Sequence, residues 1–206
     1  MSFTVIIIIV TVLISMAGWK NPELQNKLMM NPYSFANKRQ FYRLISSGFV
    51  HANWMHLGFN MFTFYFFGSL IEQLYTYMLG ANGGLYYLCL YLLGIIISDI
   101  PSIVKYNKIP NYNSLGASGG VASVVFSSIM FLPLNKIYLF GIIGIPGFIL
   151  GVIYLIYSYY EGKKMSGNVN HDAHLIGAVF GIIYSIYLQP TVILEFFEAV
   201  VNYKFF

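Results

Sequence analysis

Polar and apolar residues along this chain fall into blocks. Six predominantly apolar stretches cover about residues 3–19, 54–75, 85–100, 116–132, 137–159 and 173–188, with polar connections between them. Blocks of this length predict membrane-crossing helices, several of them near the lower limit of about 17 residues. Short spans are accommodated by bilayer thinning or by burial inside a bundle. Prolines punctuate the pattern: Pro101 follows the third block, Pro133 the fourth and Pro190 the sixth. Pro146-Gly147 falls inside the fifth block and predicts a kink there. The expected fold is all-α, a polytopic bundle of six transmembrane helices over residues 1–190. An amphipathic tail, 191–206, is expected on the membrane surface.

The connections carry their own signals. Nothing basic precedes Lys20, so the first block lacks the positive start of a secretory signal and reads as a retained helix. Residues 20–53 form a long polar connection with turn-favouring Asn21-Pro22 and Asn31-Pro32. Phe41 to Ile45 mixes apolar and basic residues as an interfacial helix does, with Arg43 as its anchor. Glu72 is expected to bond a loop, and Asp99 to mark the interface at the end of the third block. No internal repeat is evident, which argues against a secondary transporter.

Composition supports the membrane reading. Of 206 residues 58% are hydrophobic and only 9% charged, against about 25% charged in a soluble domain. With 18 Tyr, 18 Phe and 2 Trp, part of the aromatic load is expected in an interfacial belt. The net charge of +4 comes from few groups. It suits anionic lipid, and no basic run suggests nucleic acid. Cys89 is the only cysteine, which excludes an intrachain disulfide and a C-x-x-C site. Lys20, Lys27, Lys38, Arg39, Arg43, Lys105, Lys108, Lys163 and Lys164 lie in connections on one side, and Lys136 and Lys204 on the other. Positive-inside bias alone would face the first of these sides to the cytoplasm.

Three clusters carry possible chemistry. Gly116-Ala-Ser118-Gly119-Gly120 stands where a polar loop enters an apolar helix. Unpaired N–H groups there suit an oxyanion, and Ser118 is placed as a nucleophile. Small residues equally suit helix packing. The run also fits the G-x-S-x-G elbow of soluble hydrolases, but that elbow needs a preceding strand and a soluble sheet. His174 opens the sixth block, one turn before Gly177, with Gly181 completing a G-x-x-x-G face. If the partner helix begins at Ser118, His174 can take the serine proton; otherwise it serves as an interhelical hydrogen-bonding group. His56 and Asn60 share one face of the second block and can donate to an oxyanion. His51, outside the block, reads as a loop-stabilising residue. Asp172, two residues from His174, points to another face.

Taken together, these motifs resemble the rhomboid family. The resemblance rests on His51, then His56 and Asn60 in the second block. It continues with Gly116, Ser118 and Gly119 opening the fourth, and Ala173, His174, Gly177 and Gly181 in the sixth. Gly-Ser-Leu-Ile-Glu72 and Tyr42-Arg43 are also similar to family motifs, and the likeness covers essentially the whole chain. It implies an intramembrane serine endopeptidase with a Ser118–His174 dyad and no acidic third member. The implied oxyanion hole comprises the Ser118 N–H and the His56 and Asn60 side chains, with no cofactor and no metal. The implied partners are single-span membrane proteins and lipid, with substrate passing beside the fifth span. Mobility there is expected from Pro146-Gly147 and from the Gly162 and Gly167 loop.

In some family members an aromatic residue one turn after the serine stacks on the histidine. That position here is Ala122, and Phe126 is expected to substitute. The resemblance also implies a site opening toward the exterior, against the Lys/Arg bias. The expected location is the plasma membrane of a prokaryote. Two rivals are a catalytically inactive relative that binds membrane proteins, and a metal-dependent protein using His51, His56, His171 and His174. For the second, no H-E-x-x-H motif is present.

Overall fold

The computed structural model describes residues 2–139, 142–164 and 170–204. Among the described residues six longer helices overlap the apolar blocks: α1 (Phe3–Lys20), α5 (Trp54–Leu79), α6 (Gly83–Ser98), α8 (Ser118–Phe131), α9 (Gly147–Lys164) in the later part of the fifth, and α10 (His171–Leu188). The first connection folds into short helices α2 (Pro22–Leu28), α3 (Pro32–Lys38) and α4 (Arg43–Ser46), and α7 (Ile100–Tyr106) extends α6. Both Asn-Pro pairs work as helix starts. Asn21 and Asn31 accept from Leu24 N and Ser34 N, and each following proline occupies the first turn. Among the described residues, 3–20, 54–106 and 171–188 are helical stretches long and apolar enough to cross a membrane. The second of these doubles back at Gly80–Asn82, and Ser118–Phe131 is a shorter apolar helix.

The fifth block departs from expectation. Lys136–Leu139 (β1) and Ile143–Pro146 (β2) form an antiparallel hairpin with Lys136 opposite Pro146. Pro146-Gly147 is therefore the start of α9 rather than a kink within a helix. Pro146 brings a fixed φ and no N–H, so it closes the strand and lets a helix begin behind it. Of the expected hinge glycines, Gly162 lies in the last turn of α9, and Gly167 lies outside the described residues.

Helix α8 is the centre of the bundle. Gly119 to Val124 and Phe126 to Met130 are all buried, and α5, α6, α9, α10 and α11 (Val192–Val201) pack around it. Buried hydroxyls tie these neighbours together. The Tyr75, Ser127 and Ser185 hydroxyls are linked at 2.8 and 2.9 Å across α5, α8 and α10. Tyr75, Tyr87 and Tyr91 are fully buried, so part of the aromatic load belongs to the core, and the Tyr87 hydroxyl lies 2.7 Å from Thr4 Oγ1. Glu72 bonds the start of a helix rather than a loop. Its carboxylate accepts from Phe3 N, Thr4 N and Thr4 Oγ1 at 2.6, 2.9 and 2.7 Å. An acid there complements the α1 dipole. In α11, Val192 is buried while Leu194, Phe197 and Val201 form an exposed apolar stripe.

Candidate active site

The site is set by how α8 meets α10. A Cβ built on Gly177 would overlap the carbonyl of Gly119, and one on Gly181 would overlap the carbonyl of Ser123. The two helices therefore run parallel with backbone against backbone, an approach that only glycine permits. Ser118 precedes Gly119, and His174 lies one turn before Gly177, so the contact brings both to the same end of the pair. Ser118 Oγ has no hydrogen-bond partner among the described residues. Catalytic hydrogen bonds commonly tighten only when substrate binds.

Loop geometry positions the serine. Gly116 has φ +117°, and a Cβ there would lie 2.6 Å from the His56 ring. Its backbone and its closeness to His56 thus both require glycine. Ala117 precedes α8 with no side-chain cap. The first-turn N–H groups are thereby left to a ligand, at the positive end of the helix.

His51 holds this loop from behind. It is fully buried. Ala117 N–H donates to its Nε2 at 3.3 Å, and its Nδ1 lies 3.0 Å from Ser15 Oγ. Ser15 donates on to Phe49 O at 3.1 Å, and Trp19 Nε1 donates to His51 O at 2.7 Å. An Nε2 that accepts requires the neutral Nδ1–H tautomer, which suits donation to Ser15. Burial, then the neighbouring His56, lower the His51 pKa to about 3 and keep it neutral.

His56 stands edge-on to His51, with ring centroids 4.9 Å apart. Asn53 caps its helix by accepting from His56 N at 2.9 Å. Asn60 is buried, and its Nδ2 donates to His56 O at 2.9 Å. The amide is thus engaged with its own helix, on the face His56 shares. His174 stacks on Tyr154 of α9, with centroids 6.4 Å apart and planes 12° apart. Phe126 packs on Tyr154 at 5.6 Å, behind the ring that meets the histidine. The expectation for Phe126 is corrected accordingly: the stacking ring comes from the fifth block.

A cavity of about 20 Å³ adjoins the serine, lined by Ser47, Asp99, Gly116, Ser118, Asn170 and Ala173 among others. That is room for about one water. Asp99 is buried rather than interfacial, and accepts from Ser47 Oγ at 3.2 Å. Its place at the end of an apolar block gave no sign of this. Asn170, missed at the sequence level although Asn before an apolar block is a helix-start signal, accepts from Ala173 N at 3.2 Å and donates to Ser102 Oγ at 2.9 Å. Asp172 pairs with Lys105, away from His174. His171 meets His174 edge-on at 5.9 Å. Among the described residues, no three His, Cys, Asp or Glu side chains converge as a metal site requires.

Arg43 anchors the first connection, donating to Asn26 O at 2.8 Å, to Met29 O and to Gln40 Oε1 at 2.7 Å. This is a helical membrane protein with a serine at a buried helix start and a histidine on the adjoining helix. Residues 38–191 match the Rhomboid domain, and the chain belongs to the rhomboid family.

Relatives agree. The chain is 27% identical over 168 residues to "RHOMBOID-like protein 12, mitochondrial" of Arabidopsis thaliana, covering 78% of this chain and 50% of that protein. It is 29% identical over 165 residues to "Rhomboid-like protein 11, chloroplastic" of the same plant, covering 73% and 54%. It is 29% identical over 185 residues to "Presenilin-associated rhomboid-like protein A, mitochondrial" of Danio rerio, covering 81% and 43%. The chain thus spans about half the length of these relatives. Their names place them in mitochondria and chloroplasts, which overturns the expectation of a prokaryotic plasma membrane.

Proposed function

We propose that this protein is an intramembrane serine endopeptidase of an organellar membrane, cleaving single-span membrane proteins with Ser118 as nucleophile and His174 as base. The observation that carries this reading is the glycine-mediated contact of α8 with α10, which sets both residues at one end of the pair. His174 takes the Ser118 proton as Oγ attacks the peptide carbonyl, then returns it to the leaving amine. The oxyanion is met by the Ser118 N–H, with His56 and Asn60 donating once the Asn60 amide turns from His56 O.

Six spans fit this reading. At 14 residues α8 is about 21 Å long, short of a hydrocarbon core of about 30 Å. Its start is then recessed below the membrane surface, and the polar cavity beside Ser118 gives water a place there. The amphipathic α11 lies on the opposite surface, with its apolar stripe toward lipid.

A second reading, a relative that binds without cutting, is favoured by Asn60, whose amide donates to His56 O on its own helix. Purified protein in lipid, given a generic single-span substrate, separates the two. Cleavage that disappears in Ser118→Ala and in His174→Ala, with folding retained, supports the protease. Cleavage surviving in Ser118→Ala overturns it.

A further inference from the structure

The ring that stacks on His174 belongs to a third helix, α9, whose second turn meets α8 through side-chain ends. Gly147, Gly151 and Tyr154 follow one another along one face of α9 at helical spacing. A Cβ on Gly147 would sit 3.3 Å from Ile129 Cγ1, and one on Gly151 would sit 3.2 Å from Ile129 Cδ1 and 3.5 Å from Phe126 Cε1. A Cβ on Gly147 would also lie 3.5 Å from the carbonyls of Pro133 and Asn135, which accept from Phe148 N and Gly147 N at 3.0 and 2.9 Å and tether the start of α9. Gly151, one turn on, meets side-chain atoms only, unlike Gly177 and Gly181, which face backbone carbonyls. Elsewhere α9 presents Val152, Ile153, Ile156, Tyr159 and Tyr160 outward, each about half exposed.

Tyr154 stacks on one face of His174 while His171 meets the ring edge-on. At position 122, one turn along α8 from Ser118, the side chain is a buried methyl in the same apolar cluster as Tyr154. Helix α8 itself therefore supplies no ring here. An imidazole has free rotation about two side-chain bonds, and a general base must present one nitrogen to the serine. A flat ring stacked at this distance restricts that rotation at little conformational cost.

We propose that Tyr154 is a positioning residue for His174, and that α9 thereby couples its own seating to the readiness of the base. With α9 docked on α8 the ring holds His174; with α9 displaced the imidazole turns freely and the dyad loosens. The inference rests on the protease reading above.

The test compares wild type, Ser118→Ala, Tyr154→Phe, Tyr154→Leu, Gly151→Leu and the Tyr154→Leu/Gly151→Leu pair, in lipid. Turnover, KM, melting temperature and the rate of labelling by a fluorophosphonate are measured. Tyr154→Phe keeps the ring and is expected to stay within twofold of wild type. Tyr154→Leu is expected to lower kcat and the labelling rate by roughly tenfold or more, with KM changed less than twofold. That is part of the roughly 10²–10⁴ contributed by a placed base. Gly151→Leu pushes α9 off Ile129 and is expected to lower kcat similarly. The pair should then lose no more than either single variant, because both act on one ring.

Equal loss in Tyr154→Phe and Tyr154→Leu would overturn the proposal, since the hydroxyl and not the ring would matter. An unchanged kcat in Tyr154→Leu, or a loss confined to melting temperature, would also overturn it. If Tyr154→Leu does not fold, Tyr154→Ala with Ala122→Phe returns a ring to the cluster from α8. Recovered labelling then supports the proposal, and labelling no faster than in His174→Ala overturns it. The protease reading fails separately, by activity in Ser118→Ala.

Discussion

Helix α8 meets α10 and α9 in different ways. Toward α10 it offers carbonyls, and Gly177 and Gly181 lie directly on them. Toward α9 it offers the flexible ends of Ile129 and Phe126, and Gly151 rests on those at ordinary or slightly tight distances. The first contact has no slack, because backbone cannot move aside without moving the helix. The second can yield by a few tenths of an ångström. A single bundle thus holds Ser118 and His174, the proposed nucleophile and base, on a rigid joint and walls them with an adaptable one. Rigid placement favours chemistry that tolerates little misalignment, and an adaptable wall favours passage of a large substrate.

The largest effect that bears on this contrast is expected from Gly177→Ala. Its methyl group must part α8 from α10, so turnover should fall on the order of 100-fold and stability by roughly 1–3 kcal/mol. Turnover and thermal unfolding in lipid check it, and wild-type turnover would break the contrast.

His51→Ala comes next. It strands the buried Ala117 N–H, at roughly 1–3 kcal/mol. The same residue gives a pH signature. The unfolded chain protonates His51 near pH 6.5, whereas the folded protein resists down to about 3. Stability should therefore fall as pH drops through that window and be unaffected by His51 above it. Melting temperatures from pH 7 to 4 should fall less steeply in the variant than in wild type. Parallel slopes would show that His51 is not held neutral.

At the rim, Lys105→Ala removes an ion pair whose partners are 48% and 32% exposed. Such pairs contribute roughly 0.2–1 kcal/mol. High salt should erase most of the difference in unfolding. The smallest effect is expected from Gly151→Ala, where slight crowding of Ile129 is offset by the roughly 1 kcal/mol gained in helix propensity. Turnover within twofold of wild type would sharpen the comparison with Gly177→Ala, since the same methyl group is added at each joint.

The joints differ in how far they could be read from sequence. G-x-x-x-G after His174, and the small residues around Ser118, announced a close helix pair because only glycine tolerates that approach. The apolar blocks announced helices for a similar reason, since continuous apolar length is itself the signal. The fifth block failed because hydropathy does not separate a short apolar hairpin from a helix. Ile137, Tyr138, Ile143 and Ile145 suit either, and Pro146 fits a helix start as well as a kink. Tyr154 was hidden among the many tyrosines of α9, as its role depends on which face meets α10. Asp99 looked interfacial because its burial depends on Ser47, far away in sequence. His51 was legible as structural, but not the Ala117 bond through which it acts.

The most direct test of the proposed dyad is labelling of the purified, lipid-reconstituted protein with a fluorophosphonate, with the modified residue located by mass spectrometry. The account predicts adduct on Ser118 in wild type and a labelling rate reduced by at least about 100-fold in His174→Ala. Adduct on another serine, or equal labelling of Ser118 with and without His174, would contradict it.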